Sequence, residues 1–131
     1  MSGFWIFMLA MDMLIPVVMV AFGLVFMHRP PENINRTYGY RTRMSMRSEE
    51  TWVFAHRYCG RLWVIFGIAV FAVTVVVFAF IFNEPVETAG MVGFIVCMAQ
   101  IIPLVAAIVP TEIALRRNFD GEGRRKNGES R

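Results

Sequence analysis

Residues 62–82, LWVIFGIAVFAVTVVVFAFIF, run for 21 positions without an Asp, Glu, Lys or Arg. At roughly 1.5 Å per helical residue, such a run crosses a hydrocarbon core of about 30 Å. Two further stretches reach the same length: residues 4–27, interrupted only by Asp12, and about 90–115, which carries Glu112 near its end. All thirteen Lys and Arg residues lie outside these runs, seven from Arg29 to Arg61 and six from Arg116 to Arg131. Three crossings put the first loop and the tail on one side of the membrane. Cytoplasmic segments collect Lys and Arg, and the connection between the second and third runs holds Glu84 and Glu87 with no basic residue. The reading is an all-α integral membrane protein, N-out and C-in.

Composition agrees, with 56% hydrophobic and 18% charged residues. These figures exclude an ordinary soluble domain. The net charge of +3 fits orientation and attraction to anionic membrane lipids, and no nucleic-acid partner is expected. The Met1–Gly3 start has no basic side chain and its apolar run is too long for a secretory signal, so the first span is expected to be retained. Residues 1–120 are assigned to one membrane domain and 121–131 to a flexible basic tail.

Inside the spans, Gly60, Gly67 and Thr74 recur every seven residues, as do Gly93, Gln100, Ala107 and Ala114. Small side chains at that spacing predict helix-contact stripes. Asp12, Thr74 and Gln100 count to a similar depth and predict one intramembrane polar layer. It is read either as a hydrogen-bonded cluster around a protonated Asp12 or as a site for an ion, proton or ligand. Pro16, Pro103 and Pro110 each free a backbone carbonyl that needs another donor. Glu112 falls at the inner interface, where a loop arginine is its expected ion-pair partner. Cys59 and Cys97 differ in depth by most of the membrane thickness, which excludes a disulfide between them.

The first loop is the informative polar segment. Pro30-Pro31 stops the first helix, and Ser48 followed by Glu49 and Glu50 predicts a helix start. From there Trp52, Ala55, His56, Cys59 and Trp63 share one face and Glu49, Glu50, Arg57 and Arg61 the other. This amphipathic stretch either lies at the inner headgroups or extends span two as one rod to Phe82. The candidate binding residues are Asn35, Tyr38, Gly39, Tyr40, Arg41, Thr42, Arg43, Ser48, Glu50, Trp52 and His56. Arginine forks ahead of a helix N-terminus read as an anion pocket, with lipid phosphate as the default anion; alternatively these arginines only set topology. Common catalytic motifs are absent from the sequence, and His28 and His56 read as anchors at the membrane edges rather than ligands. No metal or cofactor is expected.

At Asn35, Gly39-Tyr40-Arg41-Thr42, Ser45 and Ser48-Glu49-Glu50-Thr51-Trp52, continuing through Ala55-His56, the chain resembles the SdpI family of bacterial immunity membrane proteins. The resemblance is strong over about residues 33–67, and the three-span layout agrees on either side. It implies a multi-pass protein of the bacterial cell membrane that protects its producer from a secreted, membrane-active peptide toxin, and in some members signals by capturing a protein partner. The alternative is a small interaction or lipid-binding subunit of a larger membrane complex, with a homo-oligomer among the arrangements expected. A third reading is an intramembrane enzyme acting on a lipid-linked substrate through Glu50, His56 and the loop arginines.

Overall fold

The computed structural model describes residues 3–31, 34 and 39–126. Four helices follow in order: α1 (Gly3–His28), α2 (Glu49–Phe80), α3 (Val86–Ala106) and α4 (Ile108–Asn118). Three segments are long and apolar enough to cross a membrane, α1, α2 and the α3–α4 pair from Val86 to Asn118. Their outward faces are apolar, with Phe80 81% exposed and Met91 and Ile102 similarly bare. Such a surface requires a hydrocarbon solvent rather than water.

The helix boundaries have local causes. Helix α1 stops ahead of Pro30, with Arg29 N donating to Val25 O at 2.6 Å. Helix α2 begins in a capping box: Thr51 N donates to Ser48 Oγ at 3.1 Å and Ser48 N to Thr51 Oγ1 at 2.9 Å. It then continues for 32 residues. The amphipathic stretch is therefore the first part of α2 and not a separate interfacial helix. Trp52, Ala55, His56 and Cys59 are buried as expected, but against protein rather than headgroups. Span three is broken at Ala107, because Pro110 offers no N–H to the carbonyl of Ala106 and its ring presses on that turn.

Glycine sets the distance between α1 and α2, which run antiparallel. A Cβ on Gly23 would stand 2.6 Å from Gly60 O, and one on Gly60 would stand 2.6 Å from Gly23 O. About two turns further, a Cβ on Gly67 would crowd Met19 and Val20. The two seven-residue stripes are buried, Gly60, Gly67 and Thr74 on α2 and Gly93, Gln100, Ala107 and Ala114 on the third span. Tryptophans brace the bundle: Trp5 Nε1 donates to Phe78 O at 3.0 Å and Trp63 Nε1 to Leu104 O at 3.2 Å. The first of these serves a carbonyl left over at the end of α2.

After α4 the chain turns back. Phe119 pairs with Arg125 in an antiparallel bridge, and Asp120 N and Lys126 N donate to Arg124 O and Asn118 O at 2.8 and 3.0 Å. The backbone N–H groups of Arg124 and Glu122 converge on the Asp120 carboxylate and hold its pKa below the usual range. A flexible tail is expected from Gly121; residues 121–126 instead complete this hairpin, and residues 127–131 lie outside the described residues. The hairpin and the first loop share one end of the bundle, called the loop end below; residues 81–85 form the opposite, turn end.

Gly60→Leu places a branched side chain where the α1 backbone now lies, and overpacking of this kind costs at least about 1–3 kcal/mol. Thermal unfolding in detergent is expected to shift down clearly for Gly60→Leu and to stay unchanged for Gly121→Leu, where nothing stands within 4 Å of an added Cβ.

Candidate functional site at the loop end and the intramembrane polar layer

Gly39 is where the loop meets α2. Its φ of +108° is one that residues with a Cβ rarely adopt, and a Cβ there would fall on His56 Nε2. This close approach lets Tyr40 N donate to His56 Nε2 at 2.8 Å, while His56 Nδ1 lies 2.7 Å from Trp52 O. A backbone N–H only donates and a carbonyl only accepts, so the geometry selects the neutral imidazole with its proton on Nδ1. Both ring nitrogens are thereby committed, and His56 is fully buried between Trp52 and Phe26. It is a structural link between the loop and α2, not the membrane-edge anchor expected. Trp52 Nε1 secures the start of the loop by donating to Pro31 O at 2.8 Å.

Tyr40 carries the connection onward to α4. Its hydroxyl donates to Glu112 Oε2 at 2.6 Å, and Thr42 Oγ1 donates to the same oxygen at 2.6 Å. Burial, followed by the Glu112 hydrogen bond and charge, pushes the phenol pKa up. Tyr40 therefore remains a donor throughout the ordinary pH range. The donors to Glu112 among the described residues are these two hydroxyls, and none of the described loop arginines pairs with it; the loop's Arg36 lies outside the described residues. Below them Ser45 closes a turn, accepting from Thr42 N at 2.9 Å and donating to Tyr40 O at 3.0 Å.

Ser48 and Glu50 face the hairpin. Ser48 Oγ donates to Gly123 O at 2.6 Å, Arg47 Nη1 donates to Gly121 O at 2.7 Å, and Arg125 pairs with Glu50 at 3.5 Å. The α2 N-terminus is thus closed by its own cap and by the hairpin, and is not the open anion seat expected. Arg41 and Arg43 are exposed beyond the His56–Glu112 core. Asn35 and Tyr38 lie outside the described residues. The structure also separates Glu50, which is exposed, from the buried His56. Ser45, Thr51 and the hairpin glycines escaped the candidate residues, although Ser45 and Thr51 stand inside the motif; the hairpin has no apolar periodicity to announce it.

The polar layer does assemble. Gln100 Nε2 donates to Asp12 O at 2.8 Å and to Thr74 Oγ1 at 2.9 Å, and Thr74 donates back to Val70 O at 2.8 Å. Asp12 O is the carbonyl one helical turn before Pro16, which has no N–H to give it, so the α3 amide supplies the missing donor. Asp12 Oδ2 and Gln100 Oε1 are buried without a hydrogen-bond partner. Both are oxygens, so neither can serve the other unless the carboxyl carries a proton. Among the described residues no group of three or more His, Cys, Asp or Glu side chains is placed to hold a metal.

Comparison with known proteins adds the family. The family model described as the SdpI/YfhL protein family matches residues 32–111, more than half of the chain. This chain belongs to that family. The matched segment takes in the Gly39–Thr42 loop, all of α2 and Glu112's neighbour Thr111, so the loop-end core falls almost wholly inside it. "Uncharacterized protein YfhL" of Bacillus subtilis (strain 168) is 38% identical over 53 residues, 40% of this chain and 48% of that relative. The chain thus covers about half the length of the curated relative it matches. No solved structure matches.

Gln100→Leu removes the only side-chain donor to Asp12 O among the described residues and is expected to destabilise the bundle by about 1 kcal/mol. Pro16→Ala restores a helical N–H to that carbonyl, so the cost of Gln100→Leu should fall in the Pro16→Ala background. A double-mutant cycle on detergent unfolding reads this coupling, and additive effects would show that the amide does not serve the proline-freed carbonyl.

Proposed function

We propose that this chain is an immunity-type membrane protein that protects its producer from a secreted, membrane-active peptide toxin. The observation that carries this reading is the family match over residues 32–111, which coincides with the part of the loop that is built rather than merely charged. Hydroxyls, an imidazole and glycine geometry tie Tyr40 and Thr42 to α2 and α4. A loop that served only to orient the spans would need its arginines and none of these bonds.

In this reading the loop end faces the cytoplasm and the turn end faces outward, in the bacterial plasma membrane. The toxin meets the turn end or the lipid around the bundle, and the loop end holds a partner that reports the encounter. A stable, toxin-independent stoichiometric partner on copurification from native membranes would instead favour a structural subunit of a larger complex.

Expression in a toxin-sensitive bacterium is expected to raise survival under challenge with the cognate peptide. Glu112→Gln, which weakens both hydroxyl bonds at the loop end, is expected to lower that protection at least tenfold at equal protein level, since hydrogen bonds to charged groups are each worth about 1.5–3 kcal/mol. Survival equal to the empty-vector control with the unaltered chain would reject the immunity reading.

A further inference from the structure

Beside the Tyr40–Glu112 bond lies an open cleft of about 600 Å³, lined by the first loop, α4 and the hairpin. Its wall includes Arg43 and Arg47 from the loop, Arg116 from α4 and Lys126 from the hairpin, with Glu112 and Asp120 as the carboxylates. The acidic groups are already engaged. Asp120 Oδ1 accepts from Glu122 N and Arg124 N at 2.9 Å each and its other oxygen faces Arg124 Nε at 3.7 Å. Glu112 accepts from Tyr40 and Thr42. Arg47 is committed to Gly121 O.

Arg43, Arg116 and Lys126 differ from these. None of them enters an ion pair among the described residues, and no side-chain hydrogen bond to a described residue holds any of them. Three cations from three separate segments line one hollow, and with Arg47 they outnumber its two carboxylates, Glu112 and Asp120, the latter already held low in pKa by its backbone donors and by nearby Arg124 and Lys126, so the wall keeps an excess of positive charge. The walls of the hollow are joined by Arg47 Nη1 to Gly121 O, by the Tyr40 and Thr42 hydroxyls to Glu112 and by the Lys126–Asn118 backbone bond, none of which uses these three side chains. Its volume exceeds what a single halide needs and suits a tetrahedral oxyanion together with its ester substituent. Guanidinium forks approaching from different elements match such a group through several charge-assisted hydrogen bonds.

We propose that this cleft is a binding site for a phosphate group, with Arg43, Arg116 and Lys126 as its ligating side chains. It stands at an end of the spanning helices, where lipid phosphates and soluble phosphate esters can both reach it. The site does not rest on the immunity reading: Glu112 lines the cleft, but the three ligating side chains take no part in the Tyr40–Thr42–Glu112 bonds that test that reading.

The test has two arms on the full chain. In nanodiscs of phosphatidylcholine doped with phosphatidylglycerol, native mass spectrometry is expected to find phosphatidylglycerol enriched on the released protein. In detergent, added inorganic phosphate is expected to raise the unfolding temperature. Arg43→Gln/Arg116→Gln should weaken either effect by about tenfold or more, while Arg29→Gln/Arg61→Gln, equal in charge but outside the cleft, should leave it intact. Enrichment of the lipid assigns a headgroup as the source, and stabilisation by free phosphate alone assigns a soluble one. Absence of both effects, or equal loss in the charge-matched control, overturns the site. Circular dichroism and unchanged unfolding without phosphate establish that both double variants are folded.

Discussion

Several backbone groups that lose their helical partner in this bundle are served by side chains from distant segments. Water is excluded from the spanning region, so an orphaned carbonyl or N–H there costs what a broken hydrogen bond costs in hydrocarbon. Gln100 of α3 serves Asp12 O, freed by Pro16; Trp5 serves Phe78 O at the end of α2; Arg57 serves Met27 O at the end of α1. At the loop end, Trp52 serves Pro31 O and His56 receives the N–H of Tyr40. Each bond joins segments that the chain order separates. The tertiary arrangement follows from where helices break or end as much as from the apolar stripes.

The stripes supply the other half. Contact between Gly23 and Gly60 brings α1 and α2 to backbone distance, and that proximity allows Thr74 and Asp12 to be reached by a single amide from α3. Dispersion between closely packed helices has no hydrophobic competitor in lipid, because lipid tails are as apolar as the helix faces. Small residues and a few polar bonds therefore decide the register.

Much of this was legible in the sequence because periodicity and depth are linear quantities. The spans, the Ser48 cap, the buried face from Trp52 to Cys59 and the level shared by Asp12, Thr74 and Gln100 follow from counting along helices. What counting does not reach is closure between loops. Glu112 invited an arginine by charge, yet among the described residues its donors are the hydroxyls of Tyr40 and Thr42. The positive φ of Gly39 matters only once His56 is known to lie against it. The break at Ala107 depends on Pro110 within an otherwise regular helix, and the hairpin from Phe119 to Lys126 rests on three backbone bonds that leave no hydrophobic pattern.

The family reading and the geometry meet at the loop end, where the matched segment is a folded cap rather than a charged tether. His56 is the joint of that cap, and its ring state reports directly whether the loop is seated. Solution or solid-state NMR of the protein in nanodiscs, with 15N-labelled histidine, measures it. The account predicts a neutral His56 imidazole with the proton on Nδ1 and a hydrogen-bonded, slowly exchanging Tyr40 amide. A proton on Nε2, or a Tyr40 amide exchanging as fast as a solvated loop, would contradict it.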